Sequence, residues 1–111
     1  VEAKVLRLPG QLFEHKGENI SNVYTYKIVN KTARDYDNVS IKLIHPQGKL
    51  ELVGKKSIKI PKEEVVQGTF FIEIPQALLK SDKTEVQLEI YNNDELIDHT
   101  KTNFLGPRSF N

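Results

Sequence analysis

The alternation of apolar and polar residues is cleanest over Asn22 to Lys31, Asn-Val-Tyr-Thr-Tyr-Lys-Ile-Val-Asn-Lys. A period of two is the signature of a β-strand, and it sorts Asn22, Tyr24, Tyr26, Ile28 and Asn30 onto one face and Val23, Thr25, Lys27 and Val29 onto the other. Lys27 marks the second face as the wetter one. Tyr24, Tyr26 and Ile28 are therefore expected in a core. The two asparagines are expected at its rims, where their amides can reach loop backbone.

The same pattern recurs along the chain. Val1 to Leu8 reads as a first edge strand with neither face clean, and Pro9-Gly10 breaks it. Gln11 to His15 is expected to resume pairing beyond the break, as where the first strand of a sandwich switches from one sheet to the other. Lys16-Gly17-Glu18 is turn chemistry, and the polar run Lys31 to Asn38 reads as a loop. Val39 to His45 is a second core strand, with Val39, Ile41 and Leu43 inward. His45-Pro46-Gln47-Gly48 is a turn, with proline early and glycine late. Lys49 to Val53 and Lys56 to Ile60, separated by Gly54, read as short edge strands. Val65 to Ile74 is the most apolar run, with Phe70, Ile72 and Ile74 inward and Phe71 partly covered. Pro75 can open one helical turn over Gln76 to Lys80 that crosses between sheets. Thr84 to Tyr91 alternates again, with Val86, Leu88 and Ile90 inward. The turn Asn92-Asn93-Asp94 joins it to Glu95 to Phe104, because asparagine and aspartate tolerate left-handed backbone angles. These runs predict an all-β chain, an immunoglobulin-like (fibronectin-like) antiparallel β-sandwich of seven to nine strands.

Composition narrows the function classes. With 111 residues the chain is expected to be a single domain, residues 1–111, with one core. Lys+Arg 16 against Asp+Glu 15 leaves a net charge of +1 with the signs interspersed, so no basic footprint of a nucleic-acid binder is present. The local cluster Lys55, Lys56, Lys59 and Lys62 is offset by Glu63 and Glu64 and reads as a solvated edge or loop. Absence of cysteine removes disulfides, thiolate metal sites, iron–sulfur ligation and cysteine nucleophiles. Without cysteine or tryptophan the antibody-type core is also excluded. No apolar run approaches the roughly 18 residues of a membrane helix. The chain carries no methionine and opens directly into strand-like sequence, which suggests a piece of a longer protein.

Candidate chemistry is sparse. His15, His45 and His99 are the only soft metal ligands, far apart and without His-x-His spacing, and read as surface histidines. The pairs Glu63-Glu64 and Asp94-Glu95 sit on neighbouring residues, which in a strand point to opposite faces, so they read as solvating charges. No nucleophile elbow, glycine-rich phosphate loop or His-Glu-x-x-His motif occurs. No catalytic, cofactor-binding or metal residue is therefore assigned. Asn19, Asn30 and Asn38 match the glycosylation acceptor pattern, which is short enough to arise by coincidence. Asn22 and Asn30 are singled out instead as inward polar residues bonded to loop backbone. Tyr91, Phe71 and Tyr36 are the aromatics that a sugar-binding surface could use.

At Asn22-Val-Tyr24, Asn30-Lys31 and the closing Phe104-Leu105-Gly106-Pro107, with the lead-in Gly10, Leu12 and Phe13, the sequence resembles the C-terminal immunoglobulin-like domain of the FixG/CcoG family, the cytochrome c oxidase accessory proteins. The resemblance spans nearly the whole chain in order. It departs at Arg7 to Gln11, where many members carry an Asp-Arg-Asn-like segment. It implies a parent with several membrane helices and a ferredoxin-like part holding two iron–sulfur clusters through cysteines that lie outside this sequence. It further implies a role in assembly of cbb-type cytochrome c oxidase, by reducing copper before insertion. The chain would then be a cofactor-free, non-enzymatic periplasmic domain on the inner membrane. It would dock a protein partner or brace the membrane part, with no nucleic-acid partner and no small-molecule substrate. The competing reading is a free-standing secreted carbohydrate-binding or adhesion module.

Overall fold

A computed structural model describes residues 1–10 and 12–107. Nine strands run in the order β1 (Glu2–Arg7), β2 (Glu14–Lys16), β3 (Asn19–Val29), β4 (Tyr36–His45), β5 (Lys49–Leu52), β6 (Ile58–Ile60), β7 (Val65–Pro75), β8 (Lys83–Asn92) and β9 (Glu95–Leu105), with a single 3-10 turn at Gln76–Leu78. They form two antiparallel sheets. The first has the order β1-β3-β7-β5, with β2 also on β3, and the second has the order β6-β4-β8-β9. The all-β sandwich expected from the alternation is what the chain forms.

The first sheet is held by the longest register in the fold, in which all eleven residues of β3 pair with β7, from Asn19 opposite Pro75 to Val29 opposite Val65. With that register, Ile20, Tyr24, Tyr26 and Ile28 face the same interior as Phe70, Ile72 and Ile74, and all are buried. Phe70 lies under both tyrosines, 5.3 Å from the Tyr24 ring and 6.1 Å from that of Tyr26, in near-parallel stacks. From the facing sheet come Val39, Ile41, Val86, Leu88, Ile90 and Phe104, as the period of two requires.

The short strands β5 and β6 are edges of different sheets. The chain passes between them through Gly54, whose φ of 77° lies in the left-handed region open to glycine. The 3-10 turn behind Pro75 carries the chain from β7 to β8 and so from one sheet to the other. Asn93, with φ 52°, makes the β8–β9 turn as its side chain permits.

Two expectations need correction. Tyr36, Asp37 and Asn38 belong to β4 rather than to a loop, and Tyr36 is 7% exposed because its ring packs on the core while Arg34 covers its outer side at 4.8 Å. The first strand also does not change sheets. Both β1 and β2 pair with β3, β1 along Tyr24 to Val29 and β2 along Asn19 to Ser21; of the segment expected to cross over, Gln11 lies outside the described residues. At the end of β9 the second sheet is met by side chains of β3 instead: Asn22 bonds both backbone groups of Leu105, and Tyr24 bonds the Asn103 carbonyl.

Gly68 stands opposite Tyr26, and a Cβ there would overlap the tyrosine hydroxyl and ring. The tyrosine thus fills the space a side chain would occupy. Replacing Gly68 by alanine should push the Tyr26 ring off its stack on Phe70 and lower unfolding free energy by about 1–3 kcal/mol, the usual cost of overpacking a core. Urea titration followed by tyrosine fluorescence would measure it, and an unchanged midpoint would show that the ring has room to move.

Candidate functional site

Two buried asparagines at the ends of β3, Asn30 and Asn22, tie the two sheets together. At one end Asn30, 1% exposed, donates through Nδ2 to the carbonyls of Arg34 (2.8 Å), Ile60 (3.2 Å) and Pro61 (3.1 Å). Its Oδ1 accepts from the Thr32 backbone N–H (3.0 Å) and from the Thr32 hydroxyl (2.7 Å). One side chain thereby satisfies the β3–β4 loop and the β6–β7 loop together. The two loops also bond directly, with Glu63 N–H on the Thr32 carbonyl and Lys62 N–H on Asp35 Oδ1.

The same pole carries the β8–β9 turn. Asn92, 7% exposed, accepts the Asn38 N–H, while Asn38 donates from Nδ2 to Asn93 Oδ1 and accepts the Asn93 N–H at its carbonyl. Arg34 reaches Glu95 with both terminal nitrogens, at 2.8 and 3.3 Å, while its plane lies on Tyr36. Since Glu2 pairs with Val29, β1 begins at this same pole. The pole is thus a set of loops cross-linked by side chains.

At the opposite end Asn22, 2% exposed, binds Leu105 in a cyclic pair, its Nδ2 donating to the carbonyl (2.9 Å) and its Oδ1 accepting the N–H (2.8 Å). One step along β3, the Tyr24 hydroxyl donates to the Asn103 carbonyl at 2.8 Å. Burial raises the Tyr24 phenol well above its ordinary value, only partly opposed by the Arg7 charge. Asp98, nearer the start of β9, accepts the Ala3 N–H at 2.7 Å.

Asn22 and Asn30 thus stand where the alternation puts them, with the partners expected of them. His15, His45 and His99 are all exposed, on β2, β4 and β9, and His15 rests edge-on against Phe13. Among the described residues no three His, Cys, Asp or Glu side chains come close enough to share a metal ion. Lys55, Lys56, Lys59 and Lys62 are exposed around β6. Of the candidate sugar-binding aromatics, Tyr36 is buried, Phe71 lies under the Lys16 ammonium at 5.1 Å, and Tyr91 lies under that of Lys42 at 4.6 Å. Glu95, read from sequence as a solvating charge, is the partner of Arg34. Asn92 and Asp98 were not anticipated. Asn92 takes the inward register after Val86, Leu88 and Ile90, which is a signal the alternation does contain. Asp98 follows an irregularity in the β8–β9 pairing that no pattern announces.

Asn30→Ala strands several buried partners and Asn22→Ala strands two, so both should destabilise, by about 1–3 kcal/mol, with Asn30 the costlier. Tyr24→Phe should cost about 1 kcal/mol at neutral pH through the lost hydrogen bond. It should also flatten the alkaline limb of stability. A phenol with a raised folded-state pKa contributes fully below its unfolded value near 10.0 and loses that contribution as pH rises above it. Denaturant midpoints measured from neutral pH to pH 11 would check both statements.

With this geometry in hand, the chain can be set beside known proteins. Residues 1–107 match the family profile described as the IG-like fold at the C-terminal of FixG, whose parent carries an oxidoreductase assignment. Among solved structures, the crystal structure of a FixG-related protein from Vibrio parahaemolyticus is similar, with 26% sequence identity and a TM-score of 0.68 over 94% of each chain. Among curated proteins none matches. The chain belongs to the family of immunoglobulin-like domains found at the C-terminus of FixG.

Proposed function

We propose that this chain is a non-catalytic, periplasmic domain of a membrane-anchored FixG-type protein that binds two iron–sulfur clusters elsewhere in its length. Its part in cbb-type oxidase assembly and the associated copper reduction is to dock a protein partner or brace the membrane part. It carries no cofactor of its own and takes neither nucleic acid nor a small-molecule substrate. The observation that carries the reading is the match of residues 1–107 to a domain described as C-terminal in FixG.

The architecture agrees with such a role. In a parent of that layout the polypeptide enters β1 at the pole cross-linked by Asn30, Asn38, Asn92 and the Arg34–Glu95 pair. A pole braced in this way transmits position from what it is attached to. The domain measures 53 Å along its long axis, so the far pole, with its turns at Pro46–Gly48 and Gln76–Leu78, is held well away from the attachment. No helix among the described residues is long and apolar enough to cross a membrane. The rival sugar-binding reading loses its platform: Tyr36 is buried, and lysines cover Phe71 and Tyr91.

Deleting residues 1–107 from the parent should leave the iron–sulfur electron paramagnetic resonance signals of purified membranes in place and lower the amount of assembled oxidase, read from its haem spectra. Normal oxidase levels after deletion would sink the proposed role.

A further inference from the structure

Both sheets end in edge strands, and most of these edges are guarded. Asn22 and Tyr24 occupy the end of β9, and Asp98 takes the Ala3 N–H on β1. β6 is three residues long with Lys59 at its centre, so antiparallel pairing with another β6 about that centre would set lysine against lysine. β2 is equally short, and its Lys16 lies on the Phe71 ring. β5, the last strand of the first sheet beside β7, has no such device.

β5 reads Lys49-Leu50-Glu51-Leu52, with the charged residues exposed and the leucines half-buried. Val53 prolongs its pairing, donating its N–H to the Thr69 carbonyl at 3.0 Å, and is itself 49% exposed. Hydrogen bonds to one neighbour alternate along an antiparallel strand. Lys49, Glu51 and Val53 therefore turn their main chain to β7, while Leu50 and Leu52 turn theirs to the open edge. Lys49 stands opposite Glu73 on β7, yet among the described residues neither it nor Glu51 closes an ion pair.

We infer that β5 pairs with β5 of a second copy, antiparallel about a two-fold axis at Leu50, so that two first sheets become one. The open groups can meet with Leu50 opposite Leu50, Leu50 opposite Leu52, or Leu52 opposite Leu52 of the other copy. Glu51 then faces, in turn, Lys49, Glu51 or Val53 of that copy. Only the first register sets opposite charges together, and symmetry repeats the pair. Lys49 and Glu51 meet there in the non-hydrogen-bonded kind of pair, in which side chains approach most closely. A seam of four residues is smaller than a stable dimer interface, so the pairing is weak in free solution and gains effect where a parent confines many copies to one membrane surface. The two-fold axis then stands along the membrane normal. Because β5 covers the part of β7 from Phe70 to Glu73, away from Val65, the poles where β1 begins point away from each other. The association itself does not depend on the role proposed above.

The test is sedimentation of the 111-residue chain up to about 1 mM, the range in which small interfaces associate. The chain should dimerise reversibly. Glu51→Lys sets lysine against lysine and Lys49→Glu sets glutamate against glutamate, so each should weaken the dimer about tenfold or more. An equimolar mixture of the two variants should recover it, because their charges complement each other across the seam. Since the chain has no cysteine of its own, Leu50→Cys should cross-link to itself on oxidation, and Leu96→Cys, exposed on the other sheet, should not. Melting curves would verify that every variant folds. A monomer throughout that range, a dimer indifferent to both charge reversals, or a mixture that associates no better than its components would overturn the proposal. So would cross-linking through Leu96→Cys in place of Leu50→Cys.

Discussion

The sandwich depends on the inward face of β3 being polar at its ends and aromatic in its middle. Two packed sheets need only apolar side chains to stay together, but apolar packing does not fix how one sheet sits over the other. Asn22 and Tyr24 supply that constraint, because a cyclic amide pair with Leu105 and a phenol bond to Asn103 hold the last residues of β9 at one position along β3. Asn30 does the same at the other end through the carbonyls of Ile60 and Pro61. The cost of burying such amides is offset only when nearly every donor and acceptor is matched. That condition is met, since no buried side-chain nitrogen or oxygen among the described residues lacks a partner.

The same bonds manage the open edge of the second sheet. β9 is eleven residues long and lies at the end of its sheet, where unpaired backbone groups invite another strand. Side chains from β3 occupy the groups of Asn103 and Leu105. Nearer the strand's start, Asp98 spends its carboxylate on the Ala3 N–H instead. Core formation and edge protection are therefore carried out by the same residues.

Most of this was legible in the sequence wherever the period of two was unbroken. From Asn22 to Asn30 and from Val86 to Asn92, each side chain's face follows from its parity, and the inward asparagines identify themselves by interrupting an apolar register. Legibility ended where the ladder became irregular or where partners were distant in sequence. Tyr36 looked like loop because its neighbours Asp35 and Asp37 are polar, whereas a bulge between Tyr36 and Val39 lets it reach the core. The failed sheet switch has a local origin: the Lys16-Gly17-Glu18 turn folds β2 straight back onto Asn19 to Ser21, a hairpin that ties it to the sheet of β3.

The division of surface follows from these constraints. The pole where β1 begins is committed to internal hydrogen bonds, so its polar groups have little left to offer a partner. The flank at Leu6 is the reverse, with exposed leucines and cations whose internal pairing is absent or loose. A residue such as Leu6 gains nothing for the isolated fold by facing water, and Lys4 opposite Lys27 loses a little.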